Sequence, residues 1–334
     1  MSRDAEIAEF LAAAGWAGAE RAPLAGDASA RRYERLRSGG ARAILMDVPP
    51  TSGLVVAPFL AVDRWLRAAG LSAPEVLAAD EGRGLVLLED LGDDLLARIC
   101  AAQPEREPGL YAAAVDLLAD LQRLPPPAGA WTTPPYDLAF LGREAALMLE
   151  WYVPATTGAP VPPDLAAEFA ALLDETLAPV AVEEVAVYRD YHAENLLWLP
   201  DRTGHARVGL LDFQDMLIGH PAYDLVSLLA DARRDVAPEL AAAMEARYLA
   251  RTGAEPEAFT AAARILSAQR NMKIVGLFTR LCRRDGKARY LDLLPRVWGY
   301  LAADLAHPAL AGLAGFVAAH VPAPEPAVRA RIAA

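Results

Sequence analysis

Tyr188-Arg189-Asp190-Tyr191-His192-Ala193-Glu194-Asn195 sets an aspartate five residues ahead of an asparagine, and a further acid, Asp212, closes the short apolar run that begins at Val208. Val185 to Arg189 is a matching run ahead of Asp190, so both acids leave the ends of brief strands. Carboxylate and amide oxygens are hard ligands suited to Mg2+ beside phosphate, and a carboxylate in a loop can orient or deprotonate a hydroxyl. The order reads as phosphoryl transfer. Asp190 would act on the acceptor hydroxyl, with Asn195 and Asp212 holding the metal against a nucleotide.

Toward the N-terminus, Arg32 to Leu36, Ala41 to Val48 and Leu85 to Glu89 read as strands, with helices over residues 4–14 and from Ala57 to Ala69. After Asp93, a candidate N-cap, nearly everything reads as helix, broken at 125–127 and 154–163. The fold class expected is α+β, a small antiparallel sheet lobe followed by a larger helical one. The tail from Val321 is expected to be loosely held.

The chain has 334 residues and a net charge of −12, which opposes attraction to nucleic acid or an anionic membrane surface. Neither Cys100 nor Cys282 sits in a metal-binding or redox motif, and the N-terminus has no basic-then-apolar leader pattern. A cytoplasmic setting is expected, with no nucleic acid, membrane or obligate protein partner. Of the 32 basic residues only Lys273 and Lys287 are lysines, and the rest are arginines.

Together with Gly219-His220-Pro221-Ala222-Tyr223-Asp224-Leu225, the opening motif resembles the aminoglycoside phosphotransferase and choline kinase group. The resemblance implies a bilobal protein-kinase-like fold, with a nucleotide-binding lobe over 1–91 and a catalytic and substrate-binding lobe over 92–334. It implies ATP and Mg2+ as cofactors, and it makes Asp224 a structural brace for the catalytic loop. Leu87-Leu88-Glu89-Asp90-Leu91-Gly92 resembles the hinge that pairs adenine through backbone groups near Glu89 and Leu91.

Two departures stand out. Gln214 replaces the glycine after Asp212-Phe213, a change expected to bear on loop flexibility more than on metal binding. The strand lysine that normally meets the nucleotide phosphates is absent: Met46 stands at its place, and the following helix offers only Asp63 as an acid. Countercharge is expected from Gly26-Asp27-Ala28-Ser29-Ala30-Arg31-Arg32-Tyr33, through Ser29 and either Arg31 or Arg32.

In helical spacing Arg270, Lys273, Arg280, Arg284 and Lys287 share one face, which would repel a polycationic acceptor. The acceptor is expected to be neutral or acidic. Gln269-Arg270-Asn271-Met272-Lys273, Glu150-Trp151-Tyr152 and the Gly26–Tyr33 loop are together similar to the family of anomeric N-acetylmuramate and N-acetylglucosamine kinases of bacterial cell-wall recycling. That likeness implies an amino-sugar substrate met by His192, Glu194, Asp215, Trp151, Asn271 and Lys273. Trp151 would stack on the pyranose, and Lys273 or a nearby arginine would pair with the lactyl carboxylate of muramate. The alternatives are a kinase for another hydroxylated metabolite, such as an aminoglycoside, and a nucleotide-binding protein without activity.

Overall fold

The computed structural model describes residues 2–24, 31–127 and 132–333, so Ser29 lies outside the described residues. In chain order come α1 (Arg3–Ala13), β1 (Glu20–Pro23), β2 (Arg32–Ser38), β3 (Ala41–Asp47), α2 (Ala57–Ala68), β4 (Val76–Asp80), β5 (Leu85–Glu89), α3 (Leu96–Ala102) and α4 (Glu107–Leu121). Next are α5 (Leu138–Leu147), a π turn (Met148–Tyr152), α6 (Val153–Thr157), α7 (Pro163–Leu177), β6 (Val185–Val187), β7 (Leu196–Trp198), β8 (Val208–Leu210) and β9 (Leu217–Gly219). The remainder is helical: α8 (Ala222–Leu229), α9 (Pro238–Thr252), α10 (Pro256–Asp285), α11 (Leu294–Leu305), α12 (Ala311–His320) and α13 (Pro326–Ala333). Two compact units result, residues 1–110, 127–132 and 194–216 in the first, and 111–126, 133–193 and 217–334 in the second.

The first unit is built on an antiparallel sheet of order β1-β2-β3-β5-β4. Alternation puts Leu36, Ala43, Leu45, Leu85 and Leu87 on one face, where Ile7, Phe10 and Leu11 of α1 cover them. Residues opposite each other in register share a face, so Tyr33 of β2 lies beside Met46 of β3 on the other side. β1 and β4 form the sheet edges. Their Glu20-Arg21-Ala22-Pro23 and Val76-Leu77-Ala78-Ala79-Asp80 lack a β-branched run, which is why the sequence alone gives no strand there. Asp93 does not cap a helix: its carboxylate takes Arg35, and α3 opens three residues later, behind Leu95. The ribbon β7-β8 belongs to this unit, and at Gly209 a Cβ would press to 3.0 Å from Leu197 Cβ. On α2, Phe59 stacks on Phe213 with centroids 4.8 Å apart, so the helix packs directly against the residue after Asp212.

In the second unit the spine is α10, thirty residues long, packed on α5, α8, α11 and the π turn. Gly276 lets it touch the start of the π turn, because a Cβ there would sit 2.1 Å from the Leu147 carbonyl carbon. Sequence expectation gave two short strands among the helices. Among the described residues there are four, paired as two ribbons: β6 with β9 and β7 with β8. The C-terminal tail also departs from expectation: α13 buries Val328 and Ile332, four residues apart on one face, and Arg283 donates to the Ile332 carbonyl at 3.4 Å. Cys100 and Cys282 are buried thiols with no disulfide between them. No single helix among the described residues is long and apolar enough to cross a membrane.

Candidate active site

In the second unit, the β6-β9 ribbon delivers the chain to Arg189, whose φ of +74° lies in the left-handed region that costs a non-glycine residue strain. The surroundings hold it there. Asp224, fully buried in the first turn of α8, accepts the Tyr188 and Arg189 N–H groups at 2.6 and 2.8 Å. The Arg189 side chain bonds Glu144 and lies over the Tyr136 and Phe140 rings at 5.8 and 5.4 Å. Burial pushes the Asp224 carboxyl up to about 7, against the two amides that hold it down.

Asp190 follows directly. Burial works against its charge, yet Lys273 first, with Arg189 and Arg270, holds the carboxyl below its usual range. Lys273 Nζ lies 2.7 Å from Glu144 Oε1, so one glutamate ties the Lys273 ammonium to the Arg189 guanidinium. Burial first of all drives the His192 imidazole down to about 4, leaving a neutral ring 3.3 Å from Arg233 Nη1. An ionised carboxylate on a braced loop can accept a hydrogen bond from an incoming hydroxyl and orient it.

The first unit carries the other acid. Leu211 donates to the Asn195 carbonyl at 3.0 Å as β7 and β8 close, and Asp212 follows with φ +61° and an exposed side chain. Gln214 Nε2 donates to Asp212 Oδ1 at 2.7 Å and to Asp215 Oδ2 at 3.1 Å. The glutamine is therefore tied to the Asp212 carboxylate itself, a closer involvement than loop flexibility. Arg31 and Arg32 diverge: Arg31, only 11% exposed, lies 3.9 Å from Asp215, while Arg32, 60% exposed, bonds Asp47 at 2.9 Å. Burial, with Asp212 nearby, pushes the Tyr33 phenol up to about 12. Met46 is wholly buried, and Asp63 is buried with Oδ1 lacking a hydrogen-bond partner among the described residues, so these two positions make no ion pair with each other.

A sequence profile of the phosphotransferase enzyme family, APH, matches residues 20–260. The chain belongs to that family. It is 42% identical to the N-acetylmuramate/N-acetylglucosamine kinase of Caulobacter vibrioides, with 96% of this chain and 97% of that protein covered. The protein of the same name from Pseudomonas aeruginosa is 34% identical, with 94% of each covered. Among solved structures, choline kinase LicA from Streptococcus pneumoniae gives a TM-score of 0.61 at 14% identity, covering 90% of this chain and 99% of that one. The ADP-bound aminoglycoside phosphotransferase APH(2'')-Ib gives 0.58 at 16%, covering 89% and 97%. The family is one of kinases, with ATP as phosphate donor, and the α+β fold is the protein-kinase-like one.

Within this phosphotransferase, Asp190, His192, Lys273 and Asp224 come together in the second unit, as Asp212, Asp215 and Arg31 do in the first. Asn271 stands apart from Lys273, because two residues along a helix are about 200° around it. Its side chain bonds Ser267 and Asp304 at 3.2 and 3.4 Å in the interior. Trp151 sits half-buried on the π turn, and Glu194 is exposed at the turn before Asn195. Of the basic stripe, Arg270 is buried and Arg284 is a solvated partner of Asp285. At the expected hinge, the Glu89 carboxylate takes Arg202 and its amide goes to the Glu75 carbonyl, while Leu91 lies against Gly209. Sequence reading missed Glu144, Ser227 and the bridging role of Gln214. Only the odd glutamine after Asp212-Phe213 carried a signal.

Proposed function

We propose that this phosphotransferase moves the γ-phosphoryl group of ATP to the anomeric hydroxyl of N-acetylmuramate or N-acetylglucosamine, giving the sugar 1-phosphate. The observation that carries the reading is the loop that presents Asp190, braced by Asp224 on the Tyr188 and Arg189 amides, with Lys273, paired to Glu144, among the cations that favour its ionised form. A carboxylate below its usual range is a weak base. It suits an anomeric hydroxyl, more acidic than an ordinary alcohol, and its main work is to orient the attacking oxygen. The same cations favour a neutral or acidic acceptor over a polycation, which agrees with the names of the two relatives, each covered over nearly its full length.

On the donor side we assign phosphate countercharge to Arg31, with Ser29 as a further donor, and adenine to the backbone near Glu89 and Leu91. The division of labour is a nucleotide-binding lobe over 1–91 and a catalytic and substrate lobe over 92–334. Asn195 and Asp212 supply the oxygen donors that suit Mg2+, and Gln214 steadies one oxygen of Asp212 at 2.7 Å. Among the described residues no cluster of three or more His, Cys, Asp or Glu has the geometry of a metal site. One or two protein oxygens plus phosphate are the usual Mg2+ set at such a site. The ion, when bound, would neutralise phosphate charge. His192, Glu194, Asp215 and Trp151 remain candidates for the sugar, and a cytoplasmic location fits a small-molecule kinase with buried thiols.

The test is an acceptor screen with ADP release as readout, comparing both sugars with kanamycin and choline. Turnover confined to the N-acetylated sugars supports the reading. Turnover only with kanamycin or choline, or with no acceptor at all, overturns it.

A further inference from the structure

Beyond the charge it adds near Asp190, Arg270 makes a hydrogen bond that the proposed mechanism does not use. It lies in the middle of α10, 5% exposed, and an arginine at that depth requires compensation for the water it has lost. Its Nη2 donates to Ser227 Oγ at 2.9 Å, and its Nη1 makes no hydrogen bond among the described residues. Ser227, fully buried on α8, donates its own hydroxyl to the Arg189 carbonyl at 3.1 Å. That carbonyl belongs to the peptide bond that begins Asp190. The relay therefore ends at the left-handed residue next to the candidate base, on the side that Asp224 does not reach, since Asp224 holds the amides of Tyr188 and Arg189.

We infer that Arg270 is a positioning residue for Asp190, acting through Ser227 and the Arg189 carbonyl. Its guanidinium is in addition one of the cations beside the Asp190 carboxylate. The inference rests on the assignment of Asp190 as the group that orients the acceptor. The two parts of the role are separable. Ser227 carries only the mechanical part, and the guanidinium carries both. The groups facing Asp190 are Lys273 and Arg270 from α10, His192 and Arg189 from its own loop, and the Asp224 carboxyl from α8, which Asp190 in turn pushes up. Removing Arg270 takes away one cation from that set, so the Asp190 carboxyl rises and the acid limb of kcat moves to higher pH.

Four variants of the full chain test this with the two sugars and saturating ATP. Asp190→Asn is the reference and should lose about 1,000-fold in kcat. Ser227→Ala, a small change that keeps the fold, should lose about 10-fold in kcat with KM for both substrates within about 3-fold and no movement of the acid limb. Arg270→Met should lose about 100-fold and shift the acid limb upward, and Arg270→Lys should restore the limb but only part of kcat. The double variant Ser227→Ala/Arg270→Met should fall no further than Arg270→Met alone, because both act in one chain. An inactive Asp190→Asn beside Ser227→Ala and Arg270→Met proteins with wild-type kcat and pH profile would overturn the relay and leave the Asp190 assignment standing. An active Asp190→Asn would remove the assignment on which the relay depends. Additive losses in the double variant would also overturn it, even if Arg270→Met is too unstable to profile, since Ser227→Ala/Arg270→Lys gives the same comparison.

Discussion

The charged groups of the two units are organised in opposite ways. In the second unit, Glu144 alone gathers Arg189, Lys273 and the Tyr136 hydroxyl, and Asp224 fixes two consecutive amides, so the setting of Asp190 is determined several times over. In the first unit, Met46 and Asp63, expected from the sequence to stand where the resembled fold keeps a lysine and a glutamate, are buried, and Asp63 Oδ1 has no hydrogen-bond partner among the described residues. Arg31 lies 3.9 Å from Asp215, a contact too long to be a hydrogen bond. Fixed charge is thus concentrated around Asp190, and on the proposed reading donor-side countercharge falls to Arg31, just ahead of β2.

The sharpest way to break this contrast is to remove the loop cations one at a time. Arg31→Ala should lower kcat/KM for ATP by about 30-fold, and Arg32→Ala, already solvated on Asp47, by less than about 3-fold. Steady-state kinetics at varied ATP checks both, and equal losses would mean that the two arginines are interchangeable.

A smaller effect probes the second unit. Lys273→Met should cost about 10-fold in kcat on N-acetylmuramate and on N-acetylglucosamine alike, because the ammonium is engaged by Glu144 and acts on Asp190. This replaces the expectation that Lys273 reads the lactyl carboxylate. A loss confined to the muramate, measured as the ratio of kcat/KM on the two sugars, would restore it.

The smallest effect concerns stability. Burial pushes the Asp63 carboxyl up to about 7, above its ordinary value in the unfolded chain. The folded protein therefore binds more protons than the unfolded one between about pH 4 and pH 7, and stability falls as pH rises through that window. Asp63→Asn, which imitates the protonated form, should stabilise the protein by about 1–3 kcal/mol at pH 8 and by much less at pH 5. Thermal denaturation at the two pH values reads the difference, and a gain independent of pH would show that burial does not push the Asp63 carboxyl up.

Much of this was legible in the sequence where chemistry and local pattern coincide. Asp190, Asn195, Asp212 and Asp224 stand at fixed spacings beside apolar runs, and the strands Arg32–Ser38, Ala41–Asp47 and Leu85–Glu89 carry their own alternation. The missing lysine could be seen because so few lysines exist. What was hidden depends on tertiary contact. Glu144 lies far along the chain from both Arg189 and Lys273, and nothing in its neighbourhood marks it as their shared partner. Asn271 and Lys273 are both expected at the sugar, whereas the helix turns them to different sides. The short strands β7 and β9 exist only as partners of other strands, and α13 is stable only because Val328 and Ile332 find a surface to cover.

The central claim is that phosphate is delivered to the anomeric oxygen of an N-acetylated amino sugar. Incubating the enzyme with ATP, Mg2+ and N-acetylglucosamine, then recording the 31P spectrum of the product with coupling to the sugar protons, addresses it directly. The account predicts a single new phosphomonoester coupled to the anomeric proton, together with loss of the reducing end. A product coupled to the C6 protons with its reducing end intact, or ADP formed with inorganic phosphate alone, would contradict it.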